Sequence, residues 1–272
     1  MRMEAFVLVG AAAMGLLSPG ARADVDLGIA PVVQATPVWC WLAVGEMVFR
    51  KFNVPPVNPH YQCGIIGAIS ISSNQAQCAK DCRLCNFPAG DATRLMGMLI
   101  DYPRRASMLS RQTVPRLFVT HTNTLSAVEV KSELDRGRPI LAGINPNARP
   151  AVFAASAHVA IIVGYDDRED GLILIVNDPF PFSPSTWPDP YLANGALVLA
   201  PGQYKIPWET YVNKLGWAES FLVRPDGQHT TSALQCFAST PLSQQRCPAD
   251  PLAKAGEGCR CADVSGVVVD GG

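Results

Sequence analysis

Cys40 has the sequence context of a reactive thiol. It follows Pro37 and begins a run with apolar residues at helical spacing, which predicts that Cys40 lies at the N-terminus of a helix. Unpaired backbone N–H groups and the positive end of the helix dipole stabilise a thiolate at such a position. A buried structural cysteine is the alternative, so the interpretation depends on whether the chain supplies a base.

His158 is the histidine whose surroundings suggest such a base. It begins an apolar segment, and a second apolar segment, 172–176, ends at Asn177 and Asp178. The two segments predict a β-hairpin that brings the imidazole opposite the end of the second strand. A carboxylate there accepts a hydrogen bond from one ring nitrogen and turns the other toward a thiol. Neighbours on a strand point to opposite faces, so only one of Asn177 and Asp178 can face His158.

Gln34 is a candidate donor to a developing oxyanion. It lies six positions before Cys40, so an extended approach to the helix brings its side-chain amide in front of the thiol. The amide would then donate together with the backbone N–H of Cys40. A solvated loop glutamine is the alternative.

The other cysteines form two groups. The chain has nine cysteines, an odd number, so complete pairing leaves one thiol over. The eight that we expect in disulfides are Cys63, Cys78, Cys82 and Cys85 in the first group and Cys236, Cys247, Cys259 and Cys261 in the second. Four cysteines allow three pairings, and the sequence does not choose among them. In the first group, zinc binding is an alternative because Cys82 and Cys85 form a C-x-x-C motif.

The first 23 residues predict a signal peptide. Arg2 precedes an apolar stretch over residues 5–17, and Ala21-Arg22-Ala23 fits a cleavage site. The stretch is too short for a transmembrane anchor. We therefore expect a protein that begins near Asp24 and is secreted or periplasmic, a compartment in which disulfides form.

Composition indicates a folded chain without a nucleic-acid or membrane partner. Of the 272 residues, 48% are hydrophobic, and the formal net charge is −1. High apolar content argues against intrinsic disorder. The balanced charge lacks the basic excess that binds nucleic acid or anionic membranes. We expect a monomer.

The element pattern predicts an α+β fold. A helix over 40–51 carries Cys40, a second begins after Asp91 and extends to residue 100, and Ser126 with Glu129 forms a capping box for a third ending near 136. Strands follow at 138–144, in the hairpin, at 203–206 and at 217–223, with a helix at 208–215. Helices thus gather in the first half and strands in the second, which favours a cleft between two lobes.

The order of these residues resembles that of the papain-like cysteine peptidases. The pattern of that family is a glutamine, then a cysteine with a following aromatic residue at a helix start, then a histidine at the start of a strand. Here these are Gln34, Cys40-Trp41 and His158. The Gly-Tyr-Asp-Asp segment at 164–167 and the Asn-Asp-Pro segment at 177–179 are more similar to a bacterial subgroup. That subgroup contains secreted avirulence-type effector proteases and double-glycine leader peptidases.

The resemblance implies a role for each site residue. Cys40 would be the nucleophile, His158 the general base and acid, Asp178 the residue that orients the imidazole, and Gln34 the oxyanion donor. Papain uses an asparagine as the third residue of its catalytic triad, so Asn177 stays an alternative to Asp178. The implied fold is two-lobed, with a helical N-terminal lobe and an antiparallel β-sheet C-terminal lobe. The implied reaction is peptide-bond hydrolysis on a protein or peptide substrate, without a metal or cofactor.

The predicted organisation is a signal peptide (1–23), a peptidase domain (24–225) with a Cys-rich insertion (63–85), and a Cys-rich C-terminal extension (226–272). The ten residues from Asp24 to Val33, which separate the predicted cleavage site from Gln34, are too few for the long inhibitory pro-segment of papain. Two other functions use the same features. One is acyl transfer at the same site, as in a transglutaminase or deamidase, and the other is a non-enzymatic binding protein that retains the fold.

Overall fold

A computed structural model describes residues 24–70, 78, 81–145, 158–183, 185, 187–226, 234–240, 243–248, 258–261 and 264–270, the last four ranges through their backbone. The predicted signal peptide lies outside the described residues. The helices are α1 (Cys40–Lys51), α2 (Tyr61–Ile69), α3 (Ala92–Ser110), α4 (Ala127–Asp135), α5 (Pro190–Ala193) and α6 (Trp208–Lys214). None of these helices is both long and apolar enough to cross a membrane.

One antiparallel sheet of eight strands forms the centre of the described peptidase region. Its strands are β1 (Asp24–Asp26), β2 (Leu117–Asn123), β3 (Ile140–Ile144), β4 (His158–Arg168), β5 (Gly171–Asn177), β6 (Leu197–Ala200), β7 (Gln203–Pro207) and β8 (Glu219–Pro225). The order is β2-β8-β3-β4-β5-β7-β6, and β1 pairs with β4. The combination of helices with an antiparallel sheet confirms the α+β class.

Each face of the sheet contributes to a separate apolar core. Alternate residues of a strand point to opposite faces, so Ile161 and Val163 of β4 join the core beneath α1, α2 and α3. Ala160 and Ile162 join the core that includes residues of α4, α5 and α6. The strand is therefore apolar on both faces, as its unbroken hydrophobic sequence predicts.

The N-terminal segment is fixed to the sheet from its first described residue. In β1, Val25 is the partner of Tyr165 and Asp26 that of Gly164, just beyond the part of β4 that pairs with β3. The backbone N–H of Leu27 then donates to the carbonyl of Val163 at 2.9 Å. This pairing leads the chain along β4 toward Gln34.

Several predicted elements are confirmed, and hydrogen bonds at their ends explain where they begin. α1 spans the predicted residues, and Asp91 caps α3 by accepting from the N–H of Arg94 at 2.9 Å. The capping box of Ser126 and Glu129 is formed. The predicted end of α3 near residue 100 is wrong, because the helix continues through Pro103 to Ser110. Tyr102, Pro103 and Ala106 are buried in it, so tertiary packing offsets the cost of an interior proline.

Three regions are more regular than the sequence predicts. The first cysteine group was expected to lie in an irregular insertion, but Cys63 lies in α2 and Cys82 begins a short 3-10 helix (Cys82–Leu84). Strand β2 and helix α5 were not predicted. The Cys-rich C-terminal extension, for which no helix or strand was predicted, contains β9 (Leu234–Thr240), β10 (Ser243–Pro248), β11 (Gly258–Cys261) and β12 (Val264–Asp270).

These last four strands form their own sheet, in the order β10-β9-β12-β11. Cys236 and Cys247 are backbone partners across β9 and β10. The predicted disulfides of the second cysteine group lie outside the described side chains.

Candidate active site

Cys40 is the first residue of α1, as predicted. Trp39 is the N-cap residue and is buried, and the helix begins directly after the turn at residues 36–38. Among the cysteines with described side chains, Cys40 is the free one, and it is partly exposed. The thiol therefore combines solvent access with a helix N-terminus, where backbone N–H groups favour an anion.

His158 begins β4 and lies between Cys40 and Asp178. Its Nε2 is 2.8 Å from Oδ1 of Asp178. Its imidazole also interacts with the side chain of Cys40, and since Asp178 occupies Nε2, Nδ1 is the nitrogen left for the thiol. Cys40 and His158 are more than a hundred positions apart in the sequence, and the contact between α1 and β4 brings them together.

The pKa of His158 is raised from its ordinary value of 6.5 to about 10. Burial alone lowers it, because a low-dielectric environment disfavours the imidazolium. The negative charge of Asp178, the hydrogen bond to that carboxylate and the contact with Cys40 together outweigh burial. At neutral pH the ring is therefore protonated, the state that stabilises a neighbouring thiolate.

Asp178 is held by a complete set of hydrogen bonds. Its Oδ1 accepts from the backbone N–H of Phe180 at 2.8 Å as well as from His158, and its Oδ2 accepts from the hydroxyl of Tyr191 at 2.9 Å. Its backbone N–H donates to the carbonyl of Gly202 at 2.8 Å. A buried carboxylate needs such partners, and they fix the direction from which it meets the imidazole.

Asn177, the alternative to Asp178, faces away from His158. Its Nδ2 donates to the carbonyl of Ile29 at 2.7 Å, and its Oδ1 accepts from Nε2 of Gln203 at 2.9 Å. The side chain is fully buried. The alternation of the strand thus directs Asp178 to the imidazole and Asn177 to the N-terminal segment.

Gln34 is buried beside the turn that precedes α1. Its Nε2 donates to the carbonyl of Thr36 at 2.8 Å, and the same carbonyl accepts from the N–H of Trp39 at 3.2 Å. Its backbone N–H donates to the carbonyl of Pro179 at 2.9 Å, next to Asp178. The alternative of a solvated loop glutamine is therefore wrong. The amide keeps a second N–H that Thr36 does not use.

The segment that follows Asp178 carries aromatic side chains that pack next to the site. The ring of Phe180 meets the His158 ring edge-on at a centroid distance of 6.1 Å, and Trp187 packs edge-on against Phe180 at 5.7 Å. Trp187 is 58% exposed. Trp187 thus reaches the candidate catalytic histidine through Phe180, and its exposed indole offers an apolar contact to a bound chain.

The first cysteine group forms two disulfides, Cys63–Cys82 and Cys78–Cys85. This pairing resolves the connectivity left open by the sequence and engages all four sulfurs that the zinc alternative requires. Among the described residues, no cluster of three or more His, Cys, Asp or Glu side chains is placed to hold a metal ion.

Comparison with known proteins identifies the family. The sequence profile of the Peptidase_C39 like family matches residues 26–193. The chain belongs to this family. The matched segment includes all four residues of the site, and it indicates a cysteine peptidase, a hydrolase that acts on protein or peptide substrates. No curated protein matches the chain.

Two supporting residues of this peptidase were missed in the sequence. Tyr191 lies in α5, whose start is capped by Asp189 through the N–H of Tyr191 at 2.8 Å. The Asp189-Pro190 pair is a helix-start pattern that could have located this helix. Gln62 hydrogen-bonds the residues on either side of Gln34, and no sequence pattern indicates that contact.

Proposed function

We propose that this chain is a secreted cysteine peptidase that hydrolyses peptide bonds through Cys40, His158 and Asp178. The position of His158, hydrogen-bonded to Asp178 and in contact with Cys40, carries the proposal. The position of Cys40 at the start of α1 supports it, because it supplies N–H groups toward an anion. The helices and the sheet would form the two lobes of a papain-like fold, with the cleft between them.

The reaction begins with the Cys40 thiolate and the His158 imidazolium. The thiolate attacks the carbonyl carbon of the scissile bond, and the carbonyl oxygen becomes an oxyanion. The backbone N–H of Cys40 and the spare N–H of Gln34 stabilise that charge. His158 then donates its proton to the leaving amine, which departs and leaves a thioester on Cys40.

Water completes the cycle. His158, now neutral, takes a proton from water, whose oxygen attacks the thioester carbonyl. The second tetrahedral intermediate collapses to the carboxylic acid product and the Cys40 thiolate, and His158 is again protonated. Asp178 keeps the ring oriented throughout and stabilises its charge. The scheme uses no metal or organic cofactor.

The site is proposed to work outside the cytoplasm. The signal-peptide pattern and the two disulfides of the first cysteine group support export. The Gly-Tyr-Asp-Asp and Asp-Pro segments favour the bacterial secreted effector proteases and double-glycine leader peptidases as functional relatives. We propose a monomer as the active form.

The test is covalent labelling combined with product analysis on the mature protein, residues 24–272. We expect a thiol-directed epoxide to label Cys40 and to abolish cleavage of an unfolded protein substrate. Cys40→Ala should neither label nor cleave, whereas Asn177→Ala should retain labelling. Mass spectrometry of the products separates hydrolysis from deamidation and cross-linking. Cleavage that persists in Cys40→Ala would contradict the proposal, and products made only by deamidation or cross-linking would favour acyl transfer.

A further inference from the structure

Gln62 in α2 holds the backbone on both sides of Gln34. Its Oε1 accepts from the N–H of Ala35 at 2.9 Å, and its Nε2 donates to the carbonyl of Val33 at 3.0 Å. The side chain is buried. One amide group thus fixes two successive peptide units, and the residue between them is Gln34.

The same amide is tied to the helix that carries Cys40. Nε2 of Gln62 also donates to Oε2 of Glu46 in α1 at 3.1 Å. Glu46 is buried, and its other oxygen accepts from Nε of Arg50 at 2.9 Å. A buried carboxylate is costly unless it is paired, so the Arg50 and Gln62 contacts together hold Glu46 at a fixed position on the helix.

The helix bearing Gln62 is itself anchored by the first cysteine group. Cys63, the next residue, is bonded to Cys82. The carbonyl of Cys85, which is bonded to Cys78, accepts from Nε1 of Trp39 at 3.0 Å. The disulfide-linked segment therefore contacts the site next to Gln34 and next to Cys40.

We propose that Gln62 is a positioning residue of the peptidase, which fixes the Gln34 amide where the oxyanion forms. This inference rests on the proposed function. The contact geometry gives Gln62 no path to the substrate, since all its hydrogen bonds go to Val33, Ala35 and Glu46. It acts through the backbone of residues 33–35 and couples the disulfide-linked α2 to the oxyanion site.

The first measurement compares turnover with thiol alkylation. Gln62→Met keeps the length of the side chain and removes its three hydrogen bonds. Gln62→Glu keeps the acceptor for Ala35 but sets a second carboxylate against the buried Glu46. We expect kcat to fall by about 10- to 100-fold in Gln62→Met, below the roughly 100- to 1,000-fold loss of a whole oxyanion donor. The kcat of Gln62→Glu should fall at least as far, because two like charges then meet where a hydrogen bond was. Alkylation of Cys40 by iodoacetamide forms no oxyanion, so its rate should stay within about twofold, as should KM.

The second measurement is a double-mutant cycle with Gln34→Ala. If Gln62 acts through Gln34, Gln62→Met should cost little further kcat in the Gln34→Ala background. Gln112→Met, at an exposed site, is the control for the substitution. Three results would each overturn the inference. The first is an unchanged kcat in both Gln62 variants, and the second is a loss in the rate of Cys40 alkylation equal to the loss in kcat. The third is full additivity of the losses in kcat from Gln62→Met and Gln34→Ala. None of these results affects the proposed function, which fails only if the unchanged protein does not cleave or does not need Cys40.

Discussion

At the scale of single residues, the protonation of His158 links this site to pH. A ring with a pKa near 10 keeps its proton through the neutral range, so it can act as the general acid for the leaving amine. Burial works against that state, and the charge of Asp178, the hydrogen bond to that carboxylate and the contact with Cys40 together outweigh burial. Because Asp178 supplies the two larger of these contributions, the active range of the enzyme should depend mainly on this carboxylate.

Asp178→Asn should move the alkaline limb of kcat/KM to lower pH. Without the negative charge, burial is left to depress the pKa of His158, and the imidazolium is lost at a lower pH. We expect kcat/KM at neutral pH to fall by about 100-fold or more. The pH dependence of peptide hydrolysis measures both effects.

Asn177→Ala is the matched control for that variant. It removes the hydrogen bond to the carbonyl of Ile29, which should lower the free energy of unfolding by about 1–3 kcal/mol. It leaves the contact between Asp178 and His158 in place, so the alkaline limb should not move. If the alkaline limb of kcat/KM shifts in Asn177→Ala but not in Asp178→Asn, then Asn177 and not Asp178 is the residue that orients His158.

The same ring should make the folded state sensitive to alkali. The folded pKa of about 10 lies above the ordinary value of 6.5. The resulting stabilisation is fully present below pH 6.5 and is lost as the pH rises through about 10. Urea unfolding at a series of pH values should therefore show that the free energy of unfolding falls more steeply over this interval in the unchanged protein than in His158→Gln. Parallel pH profiles for the two proteins would contradict the raised pKa.

At the scale of elements, the hairpin β4–β5 and the chain after it position His158 and Asp178, opposite the start of α1 that carries Cys40. β4 provides His158 and β5 ends just before Asp178, and the loop from β6 to β7 supports Asp178 through Gly202. Gly202 has a φ of +76°, and a Cβ there would lie 2.9 Å from the carbonyl oxygen of Asp178. This close approach and the left-handed backbone both require glycine.

Gly202→Ala should therefore impair both stability and catalysis. The left-handed conformation costs about 1–2 kcal/mol for a residue with a Cβ, and relief of the contact should displace Asp178. Gly195→Ala is the matched control, because Gly195 has a φ of +78° but open space at the Cβ position. We expect a similar backbone cost in both variants and a fall in kcat only in Gly202→Ala. Equal kcat values would show that Asp178 tolerates the displacement.

At the scale of the whole molecule, strand pairing divides the described chain into two sheets. Among the side chains that the structure describes, both cores consist of residues between 25 and 223. Within the described residues, β9 to β12 pair only with one another, and β12 lies near β2 without pairing with it. The C-terminal extension should therefore be separable from the fold that carries the site.

Truncation after Asp226 should leave a folded, active peptidase. We expect kcat/KM on a short peptide to stay within about twofold of that of residues 24–272, because no described site residue lies beyond Asp226. Circular dichroism and peptide hydrolysis check the two parts of this expectation. Loss of the cooperative unfolding transition in the truncated protein would show that the second sheet is needed for the core.

The sequence by itself determined the local features of this protein. These features depend on interactions within a few residues, so they can be recognised without tertiary contacts. They are the proline before Cys40, the cap at Asp91, the capping box at Ser126 and the apolar hairpin. Strand alternation also required that Asn177 and Asp178 face opposite ways. The order of the site residues along the chain was sufficient to suggest a cysteine peptidase, and the family match supports that class.

Only the tertiary structure decided which residues meet. The contact of Asp178 with His158, the pairing of Cys63 with Cys82, the support from Tyr191 and the position of Gln62 all join residues distant in sequence. Such contacts depend on how helices and strands pack. The hairpin pattern indicated a partner for His158 at the end of β5, but composition and spacing carry no information about the other contacts. Packing also carried α3 through Pro103, because the burial of its apolar face offset a local preference to stop.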